Sequence, residues 1–200
     1  MSAAVWFLIG FGCGGLPFSV WLVRAFAHAD VRHTGDGNPG AANAWKAGGW
    51  RVGVAVLLLD YLKGALPVAL AHFVFHLSGF ALATAALAPI LGHAWSPFLK
   101  WQGGKGLSVT FGVWTGLTLA QAPLVLGLFM TLFYFAVDSS GWAVLFSLLG
   151  LLAHLLMQGS DAGLLAVWAG NTGVLVWKHR RDLRQLPRLK SLFTIRRAPR

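Results

Sequence analysis

Residues 51–76 read RVGVAVLLLDYLKGALPVALAHFVFH, and this stretch decides which kind of fold to expect. It is longer than the roughly 20 residues that a helix needs to cross a lipid bilayer, and it carries almost no charge. Further apolar segments lie at about 4–27, 79–95, 106–119, 121–137, 142–157 and 161–177. Several of them are too short for a full crossing. The sequence therefore predicts an all-α integral membrane protein with about seven short transmembrane or half-spanning helices.

The overall composition supports the same class. The chain is 56% hydrophobic and 11% charged, with no glutamate, whereas soluble domains carry about 25% charged residues. Its 200 residues fit a single domain, 1–200. The lone Cys13 excludes an intramolecular disulfide framework and is expected to be a small packing residue.

The distribution of positive charge predicts an orientation in the membrane. Nine of the 16 Lys and Arg residues lie in a predicted tail at about 178–200, and others flank the connections 28–50 and 96–105. Because basic residues favour the cytoplasmic side, these connections, the turn 138–141 and the C-terminus are predicted to be cytoplasmic, with the N-terminus outside. The tail suits anionic membrane lipid, and no nucleic acid partner is expected. The opening MSAA lacks the basic residues of a signal peptide, so the first segment is expected to be retained.

Two of the predicted cytoplasmic connections, 29–49 and 92–112, are rich in glycine. The second contains WQGGKGLSVT, residues 101–110, in which three glycines surround Lys105. Glycines let backbone amides approach an anion, and a helix predicted from about Leu107 would point its positive end at the same place. The stretch therefore predicts a phosphate site, although a tight surface turn with a snorkelling lysine also explains it.

Several kinds of chemistry do not fit these residues. The glycine stretch is not a Walker A loop, because Lys105 is followed by Gly106 where that motif requires Ser or Thr. An ATPase is therefore not expected. The chain offers no Ser-His-Asp or Cys-His arrangement that would indicate a covalent intermediate.

Two patterns concern the membrane interior. Asp60 and Lys63 stand three residues apart inside the second apolar segment, where ionisable groups face each other or a polar cavity. They are either a structural ion pair or a contact with substrate. Gly10 and Gly14 have the spacing at which helices approach closely in membranes.

Four stretches together carry a resemblance to a known family. They are GLPFSVWLVRAFAHADVRHTGDGNPGAANAWKAGG (15–49), LLLDYLKGALPV (57–68), LGHAWSPFLKWQGGKGLSVTFG (91–112) and VWKHRRDLRQL (176–186). In order and spacing the chain resembles the bacterial membrane acyltransferases that use acyl-phosphate to acylate glycerol-3-phosphate. The resemblance implies a seven-helix protein of the bacterial plasma (inner) membrane, with a cytoplasmic active site. It implies acyl transfer to the sn-1 hydroxyl, giving lysophosphatidic acid for phospholipid biosynthesis, without a metal or other cofactor.

The resemblance also implies site residues. The implied catalytic group consists of Asp36, Lys46, Lys105, His179 and Asp182. The implied substrate- or phosphate-binding group consists of Gly35, Gly37, Asn38, Gly40, Asn43, His93, Gly103, Gly104 and Gly106. Asp60 and Lys63 are expected to support the site. The implied partners are acyl-phosphate, glycerol-3-phosphate and membrane lipid.

The chain departs from the family pattern at four positions, three of them among these site residues. Asp36 stands where the family has serine, Lys46 where it has arginine and Asp182 where it has asparagine. A glutamate expected near Ser191 is absent. Lys46 lacks the fork with which arginine grips phosphate. Two carboxylates beside phosphorylated substrates repel them by about 1 to 4 kcal/mol per pair at 4 Å.

These departures leave alternatives open. Lys46 pairing with Asp36 would restore the charge balance, and Asp36 acting as general base would add a function. The chain could otherwise be a divergent or weakly active paralogue with a less anionic acyl acceptor. A transporter of phosphorylated metabolites is a further alternative, but the sequence contains no internal repeat of the kind that transporters show. A scaffold without chemistry does not explain the glycine-lysine loop.

Overall fold

The computed structural model describes residues 2–190, which form eight α-helices. The helices are α1 (Ala3–Gly15), α2 (Phe18–Ala27), α3 (Ala41–Ala69), α4 (Gly79–Ala94), α5 (Leu107–Thr118), α6 (Gln121–Ala136), α7 (Ser140–Met157) and α8 (Ala162–Lys178). A π-helical turn, Leu70–Val74, extends α3. The last part of the predicted basic tail, 191–200 with Ser191, lies outside the described residues.

The helices confirm the predicted membrane class. Between residues 2 and 190, four helical stretches are long and apolar enough to cross a membrane: Ala3–Ala27, Ala41–Val74, Gly79–Leu99 and Ser140–Met157. The remaining apolar helices are shorter, as the short segments predicted. All seven apolar segments become helices, but which side of the membrane each end faces stays a prediction.

The first apolar segment is divided, which corrects its interpretation as one helix. It forms α1 and α2, with a break at Leu16 and Pro17. Proline has no amide hydrogen and disfavours helical geometry in the residue before it. The carbonyls freed by the break are satisfied by side chains, since Gly15 accepts a hydrogen bond from Ser96 Oγ (2.6 Å) and Leu16 accepts one from Lys63 Nζ (2.9 Å).

The helix α3 begins earlier than predicted and bends sharply. It starts at Ala41 inside the predicted connection, and Gly49 adopts a left-handed backbone conformation (φ +80°) within it. Glycine adopts such a φ without steric cost. The bend separates a short first part, 41–48, from the membrane-spanning part.

Small residues bring the helices together. A Cβ on Gly14 would overlap the carbonyl of Pro89, so α1 and α4 approach closely at the predicted Gly10 and Gly14 pair. A Cβ on Gly112 would likewise overlap the carbonyl of Tyr61, where α5 meets α3. Without a hydrophobic driving force between helices in lipid, such close backbone contact is a main source of association.

The connections predicted to be cytoplasmic meet at one end of the bundle. Ser19 Oγ donates to the carbonyl of Pro39 (2.9 Å). Lys178 Nζ, at the end of α8, donates to the carbonyl of Ala94 at the end of α4 (2.8 Å). Residues 136–138 pair with 188–190 through an isolated antiparallel bridge. The glycine-rich connections and the start of the tail therefore surround one site.

Candidate active site

Lys105 is the centre of this site. It follows the glycines of the third motif and lies just before α5. Its Nζ is 3.1 Å from Asp36 Oδ2 and 3.2 Å from Asp182 Oδ2. The structure thus brings together three of the predicted catalytic residues, one from each of three distant motifs.

The first motif forms a turn that holds Asp36. Asp36 Oδ1 accepts hydrogen bonds from Asn43 Nδ2 (2.8 Å) and from the amide of Asn38 (3.2 Å). Gly35 and Gly37 both have positive φ (61° and 75°), which a tight turn requires here. Because Asn43 lies on the first turn of α3, the helix start fixes the direction of the carboxylate.

The last motif holds Asp182 in a similar way. Asp182 Oδ2 accepts from His179 Nδ1 (3.2 Å) and from Ser140 Oγ (3.1 Å) in addition to Lys105. A carboxylate only accepts, so Nδ1 of His179 carries the proton. Nε2 of His179 is buried and has no hydrogen-bond partner within residues 2–190. The histidine therefore orients Asp182 instead of facing open water.

Hydrogen bonds and neighbouring charges favour the ionised forms of Asp36, Asp182 and Lys105. Partial burial acts to raise the pKa of Asp36, but the hydrogen bonds from Lys105 and Asn43 outweigh it and the pKa is lowered. The pKa of Asp182 is lowered in the same way by His179 and Lys105, against burial. Burial acts to lower the pKa of Lys105, yet the two carboxylates raise it. Burial lowers the pKa of His179, so its imidazole is neutral at pH 7.

The glycine loop packs against the end of α4. The amides of Gly103 and Gly104 donate to the carbonyls of Ala94 (3.2 Å) and His93 (3.0 Å). A Cβ on Gly103 would overlap the carbonyl of His93, and one on Gly104 would overlap its imidazole. These two amides are committed to α4, so within this loop the donors left for an anion are Lys105 Nζ and the amides at the start of α5. Gly106 (φ +88°) turns the chain into that helix.

A Gly104→Ala substitution is expected to destabilise the protein, because the new methyl group must push the loop away from His93. The expected loss is about 1 to 3 kcal/mol of unfolding free energy, with activity reduced as Lys105 moves. Thermal unfolding in detergent measures it. The matched control is Gly173→Ala, where a Cβ meets nothing within 4 Å. Equal melting temperatures for both variants would contradict the assigned packing.

Lys46 lies apart from the cluster. It is exposed on the first part of α3 and forms no hydrogen bond or ion pair among residues 2–190. The pairing considered from the sequence, Lys46 with Asp36, is wrong, because Asp36 pairs with Lys105. Lys46 lies one helical turn beyond Asn43, and it is Asn43 that contacts the Asp36 carboxylate. Gly40 is the residue from which α3 starts.

Asp60, Lys63 and His93 lie beneath the cluster, inside the membrane bundle. Lys63 Nζ is 2.7 Å from Asp60 Oδ1, and both side chains are 4% exposed. His93 Nδ1 is 3.9 Å from the same oxygen. Since Lys63 also satisfies the carbonyl of Leu16, the geometry favours the structural interpretation of the pair. His93 supports the glycine loop from below.

A cavity of about 390 Å³ opens above Lys105. Its lining consists of Arg32, Asp36, Gly37, Asn38, Pro39, Gln102, Gly103, Lys105, Lys178, Arg180, Arg181 and Asp182. Four of these cations, Arg32, Lys178, Arg180 and Arg181, were not predicted as site residues. Lys178, Arg180 and Arg181 belong to the basic run after α8, which was interpreted as a lipid-facing tail, and Arg32 belongs to the first glycine-rich connection. A second cavity of about 960 Å³ adjoins the first at Arg181 and Asp182.

The fold and the cavity define an integral membrane protein with a cation-lined cleft of about 390 Å³ at one end of its helix bundle. A model of the glycerol-3-phosphate acyltransferase family matches residues 4–188. The chain therefore belongs to the glycerol-3-phosphate acyltransferase family.

Individual relatives agree with this assignment. Glycerol-3-phosphate acyltransferase 1 of Thermotoga maritima is 45% identical over 122 residues, but the match spans only 59% of this chain and 59% of that relative. The glycerol-3-phosphate acyltransferase of Thermus thermophilus is 33% identical over 192 residues, or 93% of this chain and 92% of the relative.

A solved structure has the same fold. It is a crystal structure of PlsY (YgiH), an integral membrane glycerol 3-phosphate acyltransferase, in the glycerol 3-phosphate form. The TM-score is 0.80 at 25% identity, and the match covers 91% of this chain and 90% of that chain.

Proposed function

We propose that this chain transfers a fatty acyl group from acyl-phosphate to the sn-1 hydroxyl of glycerol-3-phosphate, at the cytoplasmic face of a bacterial plasma membrane. The products are lysophosphatidic acid and phosphate, which feed phospholipid biosynthesis. The observation that carries the proposal is the 390 Å³ cleft, in which Lys105 and further cations face the space that two phosphorylated substrates need. Family membership supplies the reaction class.

The reaction is a direct displacement. The acceptor hydroxyl oxygen forms a bond to the acyl carbon, and the bond between that carbon and the phosphate oxygen breaks. Phosphate leaves, and the hydroxyl proton passes to a phosphate oxygen. Lys105 stabilises the negative charge on the leaving phosphate, together with the amides at the start of α5. The lowered pKa of Asp36 makes this carboxylate a weak base, so substrate phosphate is the better proton acceptor.

The two carboxylates of the cluster oppose phosphate binding. A phosphate that binds Lys105 has to compete with Asp36 and Asp182 for the same ammonium group. Like charges at this range repel by about 1 to 4 kcal/mol in a partly wet site. We therefore expect weaker binding of glycerol-3-phosphate than in a variant that carries Ser at position 36.

The test is an assay of purified protein in lipid, supplied with acyl-phosphate and glycerol-3-phosphate. Release of phosphate and formation of lysophosphatidic acid are followed together, and equal amounts of both are expected. An Asp36→Ser variant is expected to show a KM for glycerol-3-phosphate about tenfold lower. Phosphate release without acylated product would contradict the proposal, and so would flux of glycerol-3-phosphate into proteoliposomes without acylation.

A further inference from the structure

Lys105 is one of several cations at the cleft, and it is the one that lies between two carboxylates. Its ammonium group contacts two carboxylates, Asp36 at 3.1 Å and Asp182 at 3.2 Å. A dianionic phosphate has to share it with both. The cleft therefore needs a second cation that can approach phosphate without first leaving a carboxylate.

Two of the remaining cations are also held in place. Arg32 forms a fork with Asp30, in which Nη2 is 2.6 Å and Nε 2.9 Å from carboxylate oxygens. Lys178 Nζ donates to the carbonyls of Ala94 (2.8 Å) and Gly103 (3.0 Å). Both side chains stabilise the walls of the cleft. Moving either to a ligand would break contacts that shape the site.

Arg180 is engaged in a third way. Its Nη1 donates to the carbonyl of Trp177 (2.8 Å), and its guanidinium lies over the Trp177 ring at 4.8 Å from the centroid. Stacking of this kind orients the charged group along the protein surface. Arg180 therefore contributes positive electrostatic potential to the cleft while its side chain stays fixed against Trp177.

Arg181 differs from all of these. Its side chain is exposed and, within residues 2–190, forms no hydrogen bond or ion pair. It is adjacent in sequence to Asp182, and it lines both the 390 Å³ cavity and the 960 Å³ cavity. A guanidinium at this junction offers a planar fork of donors to phosphate oxygens.

We propose that Arg181 binds the phosphate group of a substrate held in the cleft. The sequence analysis considered Lys46 as the cation that balances the charge of Asp36, but Lys46 does not line the cleft. Arg181 supplies the balancing positive charge instead. Its positive charge also offsets Asp182 when phosphate approaches. The proposal rests on the proposed function for the identity of the ligand, while the chemistry recognised, a phosphate group, belongs equally to glycerol-3-phosphate and acyl-phosphate.

The experiment compares Arg181→Gln with Arg184→Gln. Arg184 is an exposed arginine on the same short turn, Asp182–Arg184, and it lines neither cavity. For Arg181→Gln the KM of one phosphorylated substrate is expected to rise by about ten- to a hundredfold with kcat changed little, which is the loss of a charged hydrogen-bonded contact. Separate titration of each substrate identifies which phosphate Arg181 binds. Arg184→Gln is expected to behave as the native protein.

Two further measurements keep the proposal testable. Arg181→Lys keeps the charge but loses the fork, so it is expected to recover only part of the affinity. The substrate whose KM rises should also raise the melting temperature of the native protein in detergent and raise that of Arg181→Gln much less. This binding readout does not require turnover, so it separates failure of the inference from failure of the proposed acyl transfer.

Two different results would overturn the inference and the proposed function. If Arg181→Gln has native KM values for both substrates and Lys46→Gln raises one of them tenfold or more, the phosphate is bound by Lys46 and the inference is wrong. If the native chain gains thermal stability from glycerol-3-phosphate through Arg181 but makes no lysophosphatidic acid, the inference stands and the proposed function fails.

Discussion

Replacing Lys105 by glutamine is expected to lower kcat/KM for acyl transfer by about 10² to 10³-fold. In the proposed reaction the lysine supplies the positive charge that stabilises the leaving phosphate, and removing one such preorganised donor typically has an effect of this size. The substitution also leaves Asp36 and Asp182 facing each other without the ammonium group that now lies between them. The measurement is steady-state formation of lysophosphatidic acid from acyl-phosphate and glycerol-3-phosphate.

Controls separate chemistry from folding in this experiment. Lys100→Gln removes an exposed lysine from the same connection and is expected to retain activity. An Asp36→Ser, Lys105→Gln, Asp182→Asn variant removes the whole charge cluster. It should melt near the native temperature and still be inactive, because nothing replaces the lysine. Substantial activity in either Lys105 variant would rule out the assigned role.

Replacing Lys63 by leucine is expected to destabilise the protein by about 3 to 5 kcal/mol. Its ammonium group lies 2.7 Å from Asp60, and both side chains are almost completely buried. Removing one partner of a buried pair leaves an uncompensated charge, which is far less favourable than the pair itself. The carbonyl of Leu16, at the break between α1 and α2, also loses its donor. Thermal or denaturant unfolding in detergent measures the change.

The matched variant is the double replacement Asp60→Leu, Lys63→Leu. It removes both charges, so it should recover a large part of the stability lost by the single variant. Together with the Asp60→Leu single variant, these results give the coupling energy of the pair. If the single and double variants unfold at the same temperature, the ion pair does not hold this part of the bundle.

Much of the fold was predictable, because lipid imposes a simple rule on sequence. Apolar segments in a membrane form helices that satisfy their own backbone groups, so each apolar run became a helix. The break at Pro17 was harder to predict, because the residues that satisfy it, Lys63 and Ser96, come from distant parts of the chain. The early start of α3 depended on the bend at Gly49, which only the packed structure reveals.

The sequence predicted which residues belong to the candidate site better than it predicted how those residues are arranged. The motifs supplied Asp36, Lys105 and Asp182, and the structure brought all three together. Spacing alone does not determine which charged residues pair. Lys46 was considered as a partner for Asp36, but Asp36 contacts Asn43 and Lys105. The glycines at 103 and 104 suggested amides open to phosphate, but close contact with His93 explains them instead. Arg181 was not predicted, because nothing in the sequence distinguishes it from the other basic residues of the run 178–200.

The short helices α1 and α5 have a consequence for the surrounding lipid. They contain 13 and 12 residues, which corresponds to about 20 Å and 18 Å of helix, whereas the hydrocarbon core of a bilayer is about 30 Å thick. Lys105 lies just before α5 begins, and α1 ends at the break before Pro17. A bilayer accommodates helices this short by thinning locally. In the proposed reaction, such thinning lets an acyl donor present its head group to Lys105 while its chain stays in lipid, and it lets the water-soluble acceptor arrive without crossing hydrocarbon.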